Sequence, residues 1–259
     1  MTPIPFFQVD SFAERPFTGN PAAVMPLTEW MPEEVMQAIG AENNLAETAF
    51  AVPSSREDAD YELRWFTPTV EVNLCGHATL AAAHILLHGR QVRFATKSGI
   101  LTVTREGDLL RLDMPAASVE PADLPDLTAA LGVSGETFLG RQGNGNAIVL
   151  LEDEAAVLAV QPDFAALRAL PYLVSVTARG DDQEVASRVF AAYHGIDEDP
   201  VTGSAHTALV PFWAQRLGRA HFTALQASKR SGVLHCELRG DRVILGGHCV
   251  TVIEGHFQI

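Results

Sequence analysis

The sequence predicts two similar domains of mixed α and β structure, and three observations carry that prediction. One stretch occurs twice: LCGHATLAAAHILLHGR ends at Arg90, and PVTGSAHTALVPFWAQRLGR ends at Arg219. Each copy shows a Gly, then an Ala, an apolar helix and a closing Gly-Arg. Gly76 lies over Gly203 and Gly89-Arg90 over Gly218-Arg219, with the second helix two residues longer. The copies stand about half a chain apart, the mark of an internal duplication. Next, short alternating runs bounded by turn residues fill the sequence around both helices. Finally, the Pro-, Ala- and Asp-rich segment Pro115 to Pro125 is the best domain boundary. We therefore expect domains at 1–117 and 118–250.

Taken in order, Phe6–Phe12 alternates as a first strand. Arg15 to Pro21 is a Gly/Asn/Pro turn, and Ala22–Met25 is a short strand. Pro32–Ile39 is a short helix with Glu33 and Glu34 in its first turn, where the helix dipole favours acids. The run Glu47–Val52 alternates: Thr48, Phe50 and Val52 point one way, Glu47, Ala49 and Ala51 the other. The only large group on that second face is a carboxylate, which leaves room for a ligand beside it. Glu62–Phe66 is a strand, and a helix is expected from about Ala78 to Leu87. Val92–Ala95, Gly99–Arg105 and Leu109–Met114 are strands.

In the second half, Leu127–Leu131 and Asp163–Leu170 are helical. Thr137–Leu139, Ala147–Leu151, Tyr172–Ala178 and Val185–Tyr193 are strands, the first pair around a Gly143–Asn146 loop. His194 to Pro200 is an acidic loop, and Gln226 to Gly232 a polar one. Val233–Leu238 and Val243–Val250 form a hairpin around Gly240-Asp241.

Composition narrows the function. Acidic residues outnumber basic ones 32 to 18, and the net charge of −14 argues against nucleic-acid and anionic-membrane surfaces. No apolar run approaches the ~20 residues of a membrane helix, and no targeting segment is visible. Cys75, Cys236 and Cys249 make neither a disulfide framework nor a CxxC pair. A cytoplasmic protein with reduced thiols is expected.

Candidate chemistry gathers at the two helix starts. The free N–H groups of a first helical turn, with the dipole behind them, suit a substrate carboxylate. Glu47 in a mostly apolar cleft suits proton abstraction and return. From the pattern alone, an edge-strand acid facing water is the commoner case. His77 is placed to hydrogen-bond a substrate or to hold Glu47, and otherwise serves as a polar cap. Asp199 can bind an amino or hydroxyl group or carry a proton, and otherwise complements the dipole. Ser204 matches His77 in the repeat, with an ordinary N-cap as its structural role. Cys75 has Thr202 as its repeat partner, which cannot serve as a second thiol base, so a two-cysteine racemase is disfavoured and Cys75 reads as a small buried residue.

His84 and His88 have i,i+4 spacing without a third metal ligand. Asp199, Ser204 and His206 are the residue types of a hydrolase triad without its G-x-S-x-G elbow. Nothing requires a nucleotide, flavin or metal.

Five motifs in order resemble the phenazine-biosynthesis isomerase-like (PhzF-like) family. They are Phe7 to Asp10, Phe17 to Ala22, Asn44 to Phe50, Leu74 to Thr79 and Glu198 to Ala205. The resemblance implies the diaminopimelate-epimerase-type α+β fold, a pseudo-symmetric duplication in which each half is a curved, mainly antiparallel sheet around a central helix. It allows the last strand, about 251–259, to cross back to the first domain. It also implies a homodimer without cofactor or metal, and an acid at Glu47 that moves a proton between carbons of a small carboxylate-bearing, dihydro-hydroxyanthranilate-like substrate. His77, Asp199 and Ser204 fall on the family's other polar site positions. Gly76 and Gly203 would hold the substrate carboxylate, with Asn20 and Thr202 as further substrate contacts. The alternatives are a racemase or epimerase on the same scaffold, or a catalytically silent small-molecule binder.

Overall fold

The structure is a computed structural model that describes residues 3–141 and 145–259. Gly143 and Asn144 of the expected loop lie outside the described residues. The chain divides into two compact units. One runs to Asp113 and takes in Gly246–Ile259, and the other spans Met114–Leu245.

In the first unit, β1 (Ile4–Ser11), β2 (Asn20–Pro26), α1 (Glu33–Asn43), β3 (Glu47–Pro53), β4 (Tyr61–Phe66) and β5 (Glu71–Val72) lead to α2 (Gly76–Leu86). Then follow β6 (Gln91–Thr96), β7 (Gly99–Glu106) and β8 (Leu109–Pro115). β1 and β2 are antiparallel, β2 and β3 parallel, and β3 and β4 antiparallel. β4 runs parallel to β6, which continues antiparallel into β7 and β8. Period-two alternation splits β3 cleanly. Phe50 packs with Met36 and Ile39 of α1 on one side, and the small Ala49 and Ala51 occupy the other. Small side chains let a helix approach closely, and α2 packs against β1, β2 and β3. Nine of its eleven residues are buried.

The second unit comprises β9 (Val119–Pro121), α3 (Pro125–Leu131), β10 (Glu136–Gly140), β11 (Asn146–Leu150), α4 (Glu154–Ala159), α5 (Phe164–Leu167), β12 (Leu173–Arg179) and β13 (Val185–Ala191). It continues with β14 (Ile196–Asp199), α6 (Gly203–Leu217), β15 (His221–Gln226), β16 (Gly232–Arg239) and β17 (Arg242–Gly247). β11 and β12 are parallel, as are β13 and β15, and the other recorded pairings are antiparallel. The last strand, β18 (Cys249–Phe257), pairs with β1 in the first unit.

Several local expectations change. The expected loop after His194 contains β14, because Gly195 at φ 88 turns the chain back onto β13. The expected Asp163–Leu170 helix shrinks to Phe164–Leu167. α4 was not anticipated, although Asp153 caps it by accepting from Ala156 N–H at 2.8 Å. The expected Val243–Val250 strand ends at Gly247, and His248 separates it from β18.

The two repeat helices differ by more than the expected two residues, at 11 and 15. α2 stops where Leu87 turns extended, whereas α6 runs on to Gly218, a left-handed C-cap at φ 67. α6 also carries an internal proline. Pro211 has no N–H for the carbonyl of Thr207, and Ala117 N–H donates to that carbonyl instead at 3.0 Å.

Candidate functional site

β3 opens at Glu47, opposite Ala22 of β2. Glu47 shares its face with Ala49 and Ala51, the side chains small enough to admit α2. The helix brings its second residue, His77, against that carboxylate. Glu47 Oε2 lies 3.0 Å from His77 Nε2, and the two side chains are only 12% and 6% exposed. The spacing is that of an ion pair, but the atoms are not aligned as a hydrogen bond, and neither has another partner. Catalytic contacts often stay misaligned until a substrate arrives.

The other edge of the ring is held. Asn20 Nδ2 lies 3.2 Å and Cys75 Sγ 3.5 Å from His77 Nδ1. An amide and a thiol both present hydrogens there, so the neutral ring carries its proton on Nε2, toward Glu47. Ser11 Oγ donates to the His77 carbonyl at 2.8 Å and fixes the start of the helix. Burial pulls the His77 pKa down, while the Cys75 sulfur and the Glu47 carboxylate push it up. The net direction is well above the ordinary imidazole value. Burial, with Glu47 adding to it, pushes the Cys75 thiol up to about 11, so at neutral pH it is a protonated thiol.

In the second unit Asp199 ends β14 and is buried. Thr202 Oγ1 donates to Asp199 Oδ2. Gln226 ties this turn together. Its Oε1 accepts from Thr202 N–H at 2.9 Å, and its Nε2 donates to the Asp199 carbonyl at 2.8 Å. Gln226 was missed as a site residue, although a signal exists. Phe222, Ala224 and Gln226 share the inward face of β15, and a polar residue at an inward position needs a buried partner.

Gly203 opens α6 and Ser204 follows, as Gly76 and His77 do in α2. Neither His77 nor Ser204 is the N-cap. Those positions belong to Cys75 and Thr202, and neither side chain caps its helix. Both first turns therefore keep N–H groups that a bound anion can take.

Other residue types do not assemble. His206 Nδ1 donates to the Thr202 carbonyl at 2.8 Å, so it does not form a triad with Ser204. His84 Nε2 pairs with Thr251 Oγ1 at 3.1 Å, while His88 is exposed. A concavity of the first unit lined by His84, Arg105 and His248 includes neither Glu47 nor His77. Among the described residues, Glu47, Cys75 and His77 offer three metal-ligating atoms within 4.8 Å of one another.

His206 yields a stability prediction. Burial pushes its pKa down to about 4, against about 6.5 in the unfolded chain. The unfolded state therefore binds the proton first. The associated stability is intact above about 6.5 and is lost as pH falls through 4, by up to about 3 kcal/mol. Chemical denaturation between those pH values should show this acid loss in the parent and a flatter profile in His206→Gln.

Three comparisons bear on the chain. The sequence profile described as "Phenazine biosynthesis-like protein" (PhzC-PhzF) matches residues 9–255. An uncharacterized isomerase of Pseudomonas aeruginosa is 49% identical, covering 98% of each chain. The crystal structure of a PhzF-family phenazine biosynthesis protein from Enterococcus faecalis superimposes with a TM-score of 0.93 at 43% identity, over 100% of both chains. A hydroxyproline epimerase from Agrobacterium vitis, at 12% identity and a TM-score of 0.62 over 98% and 92% of the two chains, shares the fold alone. The architecture is thus the α+β, diaminopimelate-epimerase-type fold.

Proposed function

Because the chain belongs to the phenazine biosynthesis-like (PhzC-PhzF) family, we propose that it is an isomerase that moves a proton between carbons of a small carboxylate-bearing, cyclic or unsaturated metabolite. Dihydro-hydroxyanthranilate is the model substrate. The observation that carries this reading is the Glu47 carboxylate, nearly buried, 3.0 Å from His77 Nε2 and otherwise flanked by alanines on its strand face. Glu47 takes the proton from one carbon and returns it to another. His77 holds the carboxylate and shares its proton through Nε2. At 12% exposure the carboxylate still reaches solvent between the two transfers, so the proton it returns is drawn at least in part from solvent.

The first-turn N–H groups of α2, beginning at Gly76, stabilise the negative charge that develops as the C–H bond breaks. A well-placed donor of this kind is worth roughly 3–4 kcal/mol. Asn20 is fully buried against His77 and acts through the ring by setting its tautomer. From the family resemblance alone, Asp199 and Ser204 are proposed as further polar site residues of the second unit, with Thr202 and Gly203 in the turn that carries them. No cofactor takes part in the steps assigned to these residues. A cytoplasmic homodimer is also proposed, from the family resemblance, and light scattering on the purified chain would return one chain mass or two.

Epimerisation is the nearest alternative, and it needs a second base facing Glu47 across the substrate. Cys75 stands beside His77 as a protonated thiol and does not supply one. Proton NMR of the product formed in heavy water separates the two reactions. A shifted double bond with deuterium at the new carbon supports the proposal. An inverted stereocentre with the double bond in place, or deuterium entering at the original carbon alone, would overturn it in favour of epimerisation.

A further inference from the structure

The proposed reaction leaves one buried nucleophile of its own centre unused. Cys75 Sγ, a nitrogen of His77 and an oxygen of Glu47 converge from the N-cap of α2, its second residue and the start of β3. We propose that these three side chains form a binding site for a soft divalent cation such as Zn²⁺, Cd²⁺ or Co²⁺, with one coordination position left open. This inference goes beyond the isomerase reading and does not depend on it.

The spacing supports it. Zinc holds sulfur at about 2.3 Å and nitrogen or oxygen at about 2.0–2.1 Å in a tetrahedron, which sets neighbouring donors about 3.3–3.6 Å apart. Cys75 Sγ is 3.5 Å from His77 Nδ1, and Glu47 Oε2 is 3.0 Å from Nε2. An ion takes one ring nitrogen. Since all three donors lie within 4.8 Å of one another, closing the set around it needs about 1 Å of movement in the third ligand. The Glu47 carboxylate, the most exposed of the three side chains at the very start of its strand, can make that movement.

A second observation is independent of the spacing. His77 is 4% exposed, yet its Nε2 has no aligned hydrogen-bond partner. Once it gives up its proton, a buried imidazole nitrogen in that state is a spare electron-pair donor. The ligand types also sort by softness: thiolate and imidazole favour zinc and its heavier relatives over magnesium or calcium. On binding, the Cys75 thiol and the His77 ring each give a proton to solvent as the sulfur–metal and nitrogen–metal bonds form, so each ion bound releases two protons. The ion would also engage Glu47, so the occupied protein is expected to be an inhibited one.

The probe is Co²⁺ added to the reduced protein. We expect one equivalent per chain, with an intense sulfur-to-cobalt charge-transfer band in the near ultraviolet. Cys75→Ser should weaken binding more than about 100-fold and remove the band, because losing a ligand costs more than losing an outer-shell partner, worth about 10–100-fold. Cys236 and Cys249 remain in that variant, so they cannot account for the loss. His77→Gln keeps the thiol and, as the loss of another ligand, should also weaken binding more than about 100-fold. Absence of the band at one equivalent, or an undiminished band in Cys75→Ser, would overturn the proposal. Should Cys75→Ser not fold, zinc-edge X-ray absorption of the parent decides: one sulfur with nitrogen and oxygen neighbours supports the site, and none or two sulfurs reject it. These readouts need no turnover, so the metal site and the isomerase reading can fail separately.

Discussion

Glu47→Gln is expected to lower turnover of the proton shift by about 10²- to 10⁴-fold, the range for removing a positioned acid/base group. The amide keeps the shape of the carboxylate but cannot accept and return a proton at neutral pH. The loss should fall on kcat, with KM little changed, because the interaction removed belongs to the transition state. The substitution also withdraws a charge that raises the His77 pKa. A raised imidazole pKa contributes stability that is complete below about 6.5 and is lost as pH rises through the folded value. Part of that alkaline loss should therefore disappear in Glu47→Gln. Steady-state kinetics and denaturation at two pH values check both parts. A kcat within about threefold of the parent would remove Glu47 from its role.

Gly19→Ala should strongly destabilise the fold of the first unit. Gly19 sits at φ 66, where an added Cβ would stand 2.1 Å from the Ser11 carbonyl oxygen and 2.9 Å from the Ala13 Cβ. The left-handed conformation alone costs a non-glycine residue about 1–2 kcal/mol. The clash is with backbone, which cannot swing aside as a long side chain would, so the total should exceed about 3 kcal/mol. At about 2–4 °C per kcal/mol for a chain of this size, Tm should fall by roughly 6–12 °C or more. Activity should fall with it, because the strand pair β1–β2 carries Ser11 and Asn20 to His77. A Tm within about 2 °C of the parent would show that the turn relaxes freely.

How much of this was legible in the sequence depended on the range of the interaction. The alternation of β3 and the two glycine-led helix starts are local, and the residues alone place them. That Glu47 meets His77 is not local. Thirty positions separate them in the sequence, and they meet only because Ala49 and Ala51 leave α2 room against β3. The residues offer the pairing only as one possibility for His77, beside a substrate contact and a polar cap. Cys75 read as a small buried residue, because a thiol gives no sign in sequence of what its sulfur faces. Gln226 was hidden inside a segment read as a polar loop, although its inward register on β15 was available. β14 was obscured by its composition: three acids read as a loop, and only the pairing with β13 makes it a strand. The full length difference of the two helices escaped because α2 stops at Leu86, short of its closing Gly89, whereas α6 runs through Pro211 to Gly218, with Ala117 N–H satisfying the carbonyl that the proline leaves open.

The most direct test of the central claim is hydrogen exchange with solvent. The parent and Glu47→Gln would each be incubated in heavy water with dihydro-hydroxyanthranilate and a small panel of cyclic amino and hydroxy acids, and the recovered compounds weighed by mass spectrometry. The account predicts deuterium in at least one compound with the parent and none with the variant. Equal uptake with both proteins would contradict it.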